Sequence, residues 1–170
     1  MAKHDKPIKT NAMRALDARH IPYDLFTYPD TIHSAEEVAG LLGVPPERVY
    51  KTLVMQTGEG QSQANLLMMA PGGATVDPRL LARSLGVKAV RMAPQREAER
   101  LTGLLVGGIS PLALLDKRFA VYLDTRAQAF ERIYLNGGQR GVNLCLRVAD
   151  LVAVTGARFV DATQPPDPQP

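Results

Sequence analysis

The chain has 170 residues, 45% of them hydrophobic and 22% charged, with a net charge of +3. That length supports one domain with a proper core, and no apolar run approaches the ~20 residues of a membrane span. The single cysteine, Cys145, excludes an internal disulfide, and aromatic residues at 5% with no tryptophan offer little stacking surface for a long nucleic-acid strand. The polar N-terminus "MAKHDKPIKTNAM" lacks the apolar core of a signal peptide, so a cytoplasmic location is the expectation.

In chain order, residues 1–9 read as a flexible arm. "NAMRALDARHIP" predicts a helix capped by Thr10 or Asn11 and stopped at Pro22, and "YDLFTY" (23–28) a strand. "SAEEVAGLLG" (34–43) has Ser34 and Glu37 at capping-box spacing and a terminal glycine, which predicts a helix. "VYKTLVMQT" (49–57) and "QANLLMMAP" (63–71) flank "GEGQS" as a β-hairpin. "DPRLLARSLG" (77–86) is a helix with an Asp77 cap, Pro78 in the first turn and Gly86 at its end. "AVRMA" follows as a short strand and "QREAERLTG" as a polar helix. "LLVGGI", "FAVYLDT" and "RIYLN" are strand candidates, "GGQRG" (137–141) is a turn, and "VNLCLRV" (142–148) alternates as a strand. "ADLVAVTG" is a last short helix, and the proline-rich tail, 164–170, is expected to be disordered. Hairpins mixed with helices outside strict βαβ order predict an α+β domain over 10–163 with a mixed, strongly curved sheet.

The chemistry-bearing residues are sparse. No phosphate-binding G-x-x-x-x-G-K-[ST] loop or G-x-G-x-x-G fingerprint occurs, and His4, His20 and His33 have no metal-ligand spacing with each other or with Cys145. Cys145 sits outside any motif and reads as packing, and His33 as a solvated loop residue. Lys51 is the odd residue: it lies inside an apolar strand, on the face of Leu53 and Met55, where it either snorkels from a sheet edge or projects into a pocket. Thr52 puts a hydroxyl on the opposite face. Two glycine clusters stand out, Gly107-Gly108-Ile109-Ser110-Pro111 and Asn136-Gly137-Gly138-Gln139-Arg140-Gly141, with Asn143 just after the second and Asp124 at a strand end. A strand lysine, two backbone-rich loops and uncharged polar groups suit the binding of an ester carbonyl that develops an oxyanion. They suit a metal site or a Ser-His triad poorly.

Three segments together, "VYKTLV" (49–54), "TGLLVGGISPL" (102–112) and "IYLNGGQRGVNL" (133–144), resemble the YbaK/EbsC family of prolyl-tRNA editing domains, of the free-standing Cys-tRNA(Pro) deacylase type. The resemblance runs in order and spacing from about Ile21 to Phe159. It implies a mixed, barrel-like sheet with flanking helices, and an enzyme that cleaves the aminoacyl ester of mischarged tRNA(Pro), with no cofactor and no metal. Cysteine is the expected substrate side chain and alanine the alternative. The family lysine falls on Lys51, the glycine-proline loop on Gly107 to Pro111, the second turn on Gly137 and Gly138, and an aromatic at the pocket mouth on Tyr28. On this reading Lys51, Gly107 and Gly108 are catalytic, and Tyr28, Thr52, Ile109, Ser110, Pro111, Asp124, Asn136, Gly137, Gly138 and Asn143 bind substrate. The loop after Tyr28 is shorter than in the YbaK type, and Asn136 and Asn143 replace an expected serine and aspartate. The nucleophile is either a positioned water or the thiol of a cysteinyl ester. The implied partners are the tRNA 3′ end and prolyl-tRNA synthetase, with no membrane. A non-catalytic module that binds aminoacyl-tRNA ends or docks on the synthetase is the rival class.

Overall fold

The computed structural model describes residues 8–32 and 34–164. His33, most of the expected arm and residues 165–170 of the expected tail lie outside them. The helices follow their punctuation. In α1 (Asn11–Ala18) the Thr10 hydroxyl accepts from the Met13 N–H at 3.2 Å, and the helix ends at Arg19, before Pro22. In α2 (Ala35–Leu42) Ser34 accepts from the Glu37 N–H and Gly43 closes the helix in a left-handed conformation. Asp77 and Pro78 open α3 (Pro78–Leu85). The remaining helices are α4 (Gln95–Thr102) and α5 (Val148–Thr155).

The strands are β1 (Asp24–Thr27), β2 (Val49–Thr57), β3 (Ala64–Pro71), β4 (Thr75–Val76), β5 (Val90–Met92), β6 (Ala120–Asp124), β7 (Arg132–Asn136), β8 (Val142–Arg147), β9 (Arg158–Val160) and β10 (Thr163–Gln164). Eight form one mixed sheet in the order β1-β8-β7-β2-β3-β6-β9, with β5 also on β2. The expected hairpin β2–β3 forms, its register running from Tyr50 opposite Pro71 to Thr57 opposite Ala64. Helices cover both faces. Leu16 of α1, Ala98 of α4 and Leu151 of α5 share a core with Val54, Leu67, Leu123 and Leu144. On the other face α3 packs Leu81 against Met55 and Met68, while α2 covers Val49. With both faces buried, "LLMMA" in β3 is a continuous apolar run.

Three expectations change. The sheet is open, not closed like a barrel: its end strands, β1 and β9, pair only with β8 and β6. Both are short, and helices on each face leave no apolar interior that closure would have to seal. "LLVGGI" is an irregular loop, because Gly107 takes a φ of +89° and side chains claim the carbonyls that a ladder would need. Gln164 belongs to β10, which pairs with β4, and its amide donates to Asp77 Oδ2 at 2.7 Å.

Candidate active site

A break in one edge of β2 makes the site. On one side β3 accompanies β2 along eight residue pairs. On the other, β7 pairs only with Val49 and Tyr50, and β5 only with Met55 to Thr57. Residues 51–54 between them have no strand partner on that edge. In an antiparallel ladder alternate residues aim both backbone groups at the same side. The Val54 carbonyl accepts from the Ala93 N–H at 2.9 Å on the broken edge, so Thr52, two residues earlier, turns its N–H and C=O into the gap. A pocket of about 260 Å³ opens there. Tyr28, Lys51, Thr52, Gly107, Ile109, Asn136 and Asn143 line it, together with Glu36 and Tyr50.

The 103–110 loop forms the opposite wall, held by two side chains from the 136–141 turn. Asn136 Nδ2 donates to the Gly107 carbonyl at 2.6 Å and to the Gln139 carbonyl at 3.2 Å. Its Oδ1 accepts from the N–H groups of Gly138 and Gln139. Arg140 Nε donates to the Val106 carbonyl at 2.7 Å. Arg140 lines a neighbouring depression together with Leu104, Leu105 and Gly108 of the same loop. The described residues contain no cis peptide, so the Gly107 N–H, antiparallel to the Val106 carbonyl, points away from Arg140. No hydrogen bond among the described residues uses it.

Lys51 is tethered: its Nζ donates to the Ala74 carbonyl at 2.9 Å. Glu36 accepts from the Gly73 N–H at 2.9 Å. Hydrogen bonds from its own N–H and from Gly73, and then the charge of Lys51, hold its carboxyl below the usual pKa. Burial raises the Tyr28 phenol, and the adjacent Asn143 amide opposes that rise. Asn143 is 3% exposed and its Oδ1 has no partner among the described residues; neither has the Tyr50 hydroxyl. Burial, and then nearby Asp124, push the Tyr50 phenol up.

Other expected site residues lie elsewhere. The Gly108 N–H is taken by the Leu105 carbonyl at 2.8 Å, and a Cβ there would meet the Arg140 nitrogen at 3.0 Å. Ser110 is fully buried and caps a 3-10 turn in which Pro111 is the first residue. Asp124 is 1% exposed; its oxygens accept from Arg126 N–H, Ala162 N–H and the Thr163 hydroxyl, so it ties β6 to the chain after β9. Gly137 donates to the Val142 carbonyl, and Gly138 packs towards Ala113 and Ala12. Cys145 is buried beside Tyr134. No three His, Cys, Asp or Glu side chains among the described residues converge as metal ligands would. Sequence reasoning passed over Glu36 and Arg140. An arginine inside a glycine turn was the available signal for the second.

Residues 29–154 match the family described as the aminoacyl-tRNA editing domain. This chain belongs to that family. The editing domain is 33% identical over 165 residues to the Enterococcus faecalis protein named "Putative Cys-tRNA(Pro)/Cys-tRNA(Cys) deacylase EbsC", covering 96% of this chain and 98% of that one. It is also 28% identical over 114 residues to a proline–tRNA ligase of Stenotrophomonas maltophilia, a match that spans 67% of this chain and 20% of the ligase. Among solved structures, hypothetical protein APE2540 superposes with a TM-score of 0.81 at 25% identity, covering 91% of this chain and 99% of the other. A second, described as "a putative trans-editing enzyme for prolyl tRNA synthetase", gives a TM-score of 0.76 at 24% identity, covering 92% and 99%, and bears on the fold. No helix among the described residues of the editing domain is long and apolar enough to cross a membrane.

Proposed function

We propose that this editing domain is an aminoacyl-tRNA deacylase that clears mischarged tRNA(Pro), with Cys-tRNA(Pro) as its main substrate. The observation that carries the reading is Gly107, which lines the pocket beside β2 with an N–H that no group among the described residues takes, while Arg140 and Asn136 hold the carbonyls on either side of it. The near full-length likeness to the Enterococcus protein supports the choice of substrate. A binding site alone separates small side chains poorly, which is why a second, cleaving site is useful after aminoacylation.

In this reading the ester carbonyl lies against the Gly107 N–H, which stabilises the tetrahedral oxyanion by about 3 kcal/mol. Gly108, whose N–H is already committed, positions the loop and does not donate. The unpaired Asn143 Oδ1 accepts from the substrate's ammonium group. Lys51 places positive charge at the gap. Among the pocket residues no cysteine or histidine supplies a nucleophile. For a cysteinyl ester the substrate's own thiol attacks: the S–C bond forms, the ester C–O bond breaks, and the ribose oxygen leaves with the thiol proton. A positioned water serves an ester without a thiol. The protein's contribution is orientation and charge stabilisation. Purified protein incubated with Cys-, Ala- and Pro-tRNA(Pro) tests the reading. Cleavage of the cysteinyl ester fastest is expected; faster cleavage of the alanyl ester reassigns the substrate, and no cleavage of any leaves a binding module. Repeating the assay with prolyl-tRNA synthetase added reads the partnership as a change in rate.

A further inference from the structure

The segment 75–92, comprising β4, α3 and β5, is a lobe anchored at both ends to β2 beside the pocket, though none of its own residues lines it. At its start the Ala74 carbonyl accepts from Lys51, and just past its end the Ala93 N–H donates to the Val54 carbonyl. Both anchors fall on β2 between Lys51 and Val54, and Lys51 to Leu53 line the pocket. The lobe carries Arg79, Arg83, Lys88 and Arg91 against one acid, Asp77, a net +3 that equals the excess of the whole chain. Asp77 is occupied: it accepts from the N–H groups of Arg79 and Leu80 and from the Gln164 amide. All four basic residues are exposed, and none forms a salt bridge among the described residues. Elsewhere Arg100, Arg126, Arg132 and Arg147 each have a carboxylate, and exposed Arg96, Lys117, Arg118 and Arg158, which have none among the described residues, belong to no single lobe. Only Arg91 is engaged, by the Gly58 carbonyl at 2.8 Å. Arg79 and Arg83, four residues apart, share the outer face of α3, while Leu81 and Ala82 turn inward.

We propose that this lobe docks the phosphate backbone of the tRNA acceptor stem while the pocket takes the aminoacylated end. The proposal rests on the editing reading above. Unpaired, exposed positive charge next to a site for an RNA terminus complements phosphate. The lobe has no aromatic residue, so it offers charge to a duplex backbone and no platform for unstacked bases. The contact is independent of sequence and sensitive to salt.

The test is the triple variant Arg83→Gln/Lys88→Gln/Arg91→Gln. The first measurement is binding of an uncharged acceptor-stem hairpin across a salt series. The slope of log K against log salt should become shallower by about 2–3, since each neutralised phosphate contributes about 0.9. The second compares deacylation of Cys-tRNA(Pro) with that of a short cysteinylated CCA oligonucleotide. The variant should lose about tenfold in kcat/KM on the tRNA, through KM, and nothing on the oligonucleotide. A second variant, Arg79→Gln/Lys88→Gln, leaves the Arg91–Gly58 contact intact and guards against a folding artefact. An unchanged salt slope, or equal losses on both substrates, overturns the proposal. So does unaltered RNA binding with lost association to prolyl-tRNA synthetase, which would put an acidic protein on the lobe. If the wild type cleaves no ester, the deacylase reading fails, and the hairpin measurement still decides the lobe.

Discussion

Gly107 and Gly138 sit in different loops and share a φ of +89°. Their N–H groups have opposite fates. That of Gly138 donates to Asn136 Oδ1 at 2.7 Å and so helps to fix the amide that grips the Gly107 carbonyl. That of Gly107 has no partner among the described residues and turns away from Arg140. Their surroundings differ as well. A Cβ at Gly138 would lie 2.9 Å from the Ala113 Cβ and 3.7 Å from the Ala12 Cβ, in the packing beneath α1. Gly107 lines the pocket. One backbone conformation thus serves two ends: in the 136–141 turn it builds a clamp, and in the 103–110 loop it is what the clamp holds. Two glycine-rich strings of similar composition do not imply similar roles.

The substitution Gly107→Ala is the strongest way to break the comparison. The left-handed conformation costs an alanine about 1–2 kcal/mol, a Tm loss of roughly 2–8 °C for a chain of this size. If the N–H meets the ester, the added methyl group and the shifted loop should also reduce deacylation about a hundredfold, or about 2.7 kcal/mol in the barrier. A melting curve beside single-turnover deacylation on the same preparation separates the two. An active Gly107→Ala protein would mean that the glycine serves the turn alone.

Gly138→Ala is the matched control. It carries the same conformational cost and adds a clash with Ala113, so its stability loss should reach about 2 kcal/mol or more. Deacylation by the folded fraction should stay within about threefold of wild type. A collapse in rate with an unchanged Tm would put Gly138 at the substrate and erase the distinction between the loops.

The elements around these loops were largely legible in the sequence; the contrast between the two glycines was not. Caps and terminal glycines placed α2 and α3, and alternation placed β8, because those signals are local and each residue satisfies its own neighbours. Lys51, Gly107, Asn136 and Asn143 do line one pocket. What the sequence could not carry was the spending of hydrogen bonds between distant segments. Asp124 looks like a free carboxylate at a strand end until Ala162 and Thr163, nearly forty residues on, take its oxygens. Gly108 looks like its neighbour until the Leu105 carbonyl claims its N–H. "LLVGGI" has the composition of a strand, and only the grip of Asn136 and Arg140 explains why it is not one. The break at 51–54 is likewise invisible in "VYKTLV", since it arises from where β7 stops and β5 begins.

The smallest expected effect sharpens the comparison from the strand the two loops face. Lys51 can act through its charge at the pocket or through its tether to the Ala74 carbonyl, and Lys51→Met removes both while keeping most of the apolar stem. If the charge supports the ester or its transition state, deacylation should fall at least tenfold, about 1.4 kcal/mol. If only the tether matters, the rate holds and stability drops by about 1 kcal/mol, the worth of one hydrogen bond. Glu36 distinguishes these further through pH. Its pKa lies below the ordinary value, so its contribution to stability is present above the unfolded pKa and is lost as pH falls through the folded one. Backbone N–H groups are the larger cause of that shift and Lys51 the smaller. The stability deficit of Lys51→Met should therefore narrow slightly, without vanishing, as Glu36 becomes protonated. A deficit that disappears entirely at low pH would show that the lysine acts on the fold through Glu36 rather than through Ala74. A near-wild-type rate at every pH would leave Lys51 with a structural role alone, its hydrogen bond to the Ala74 carbonyl.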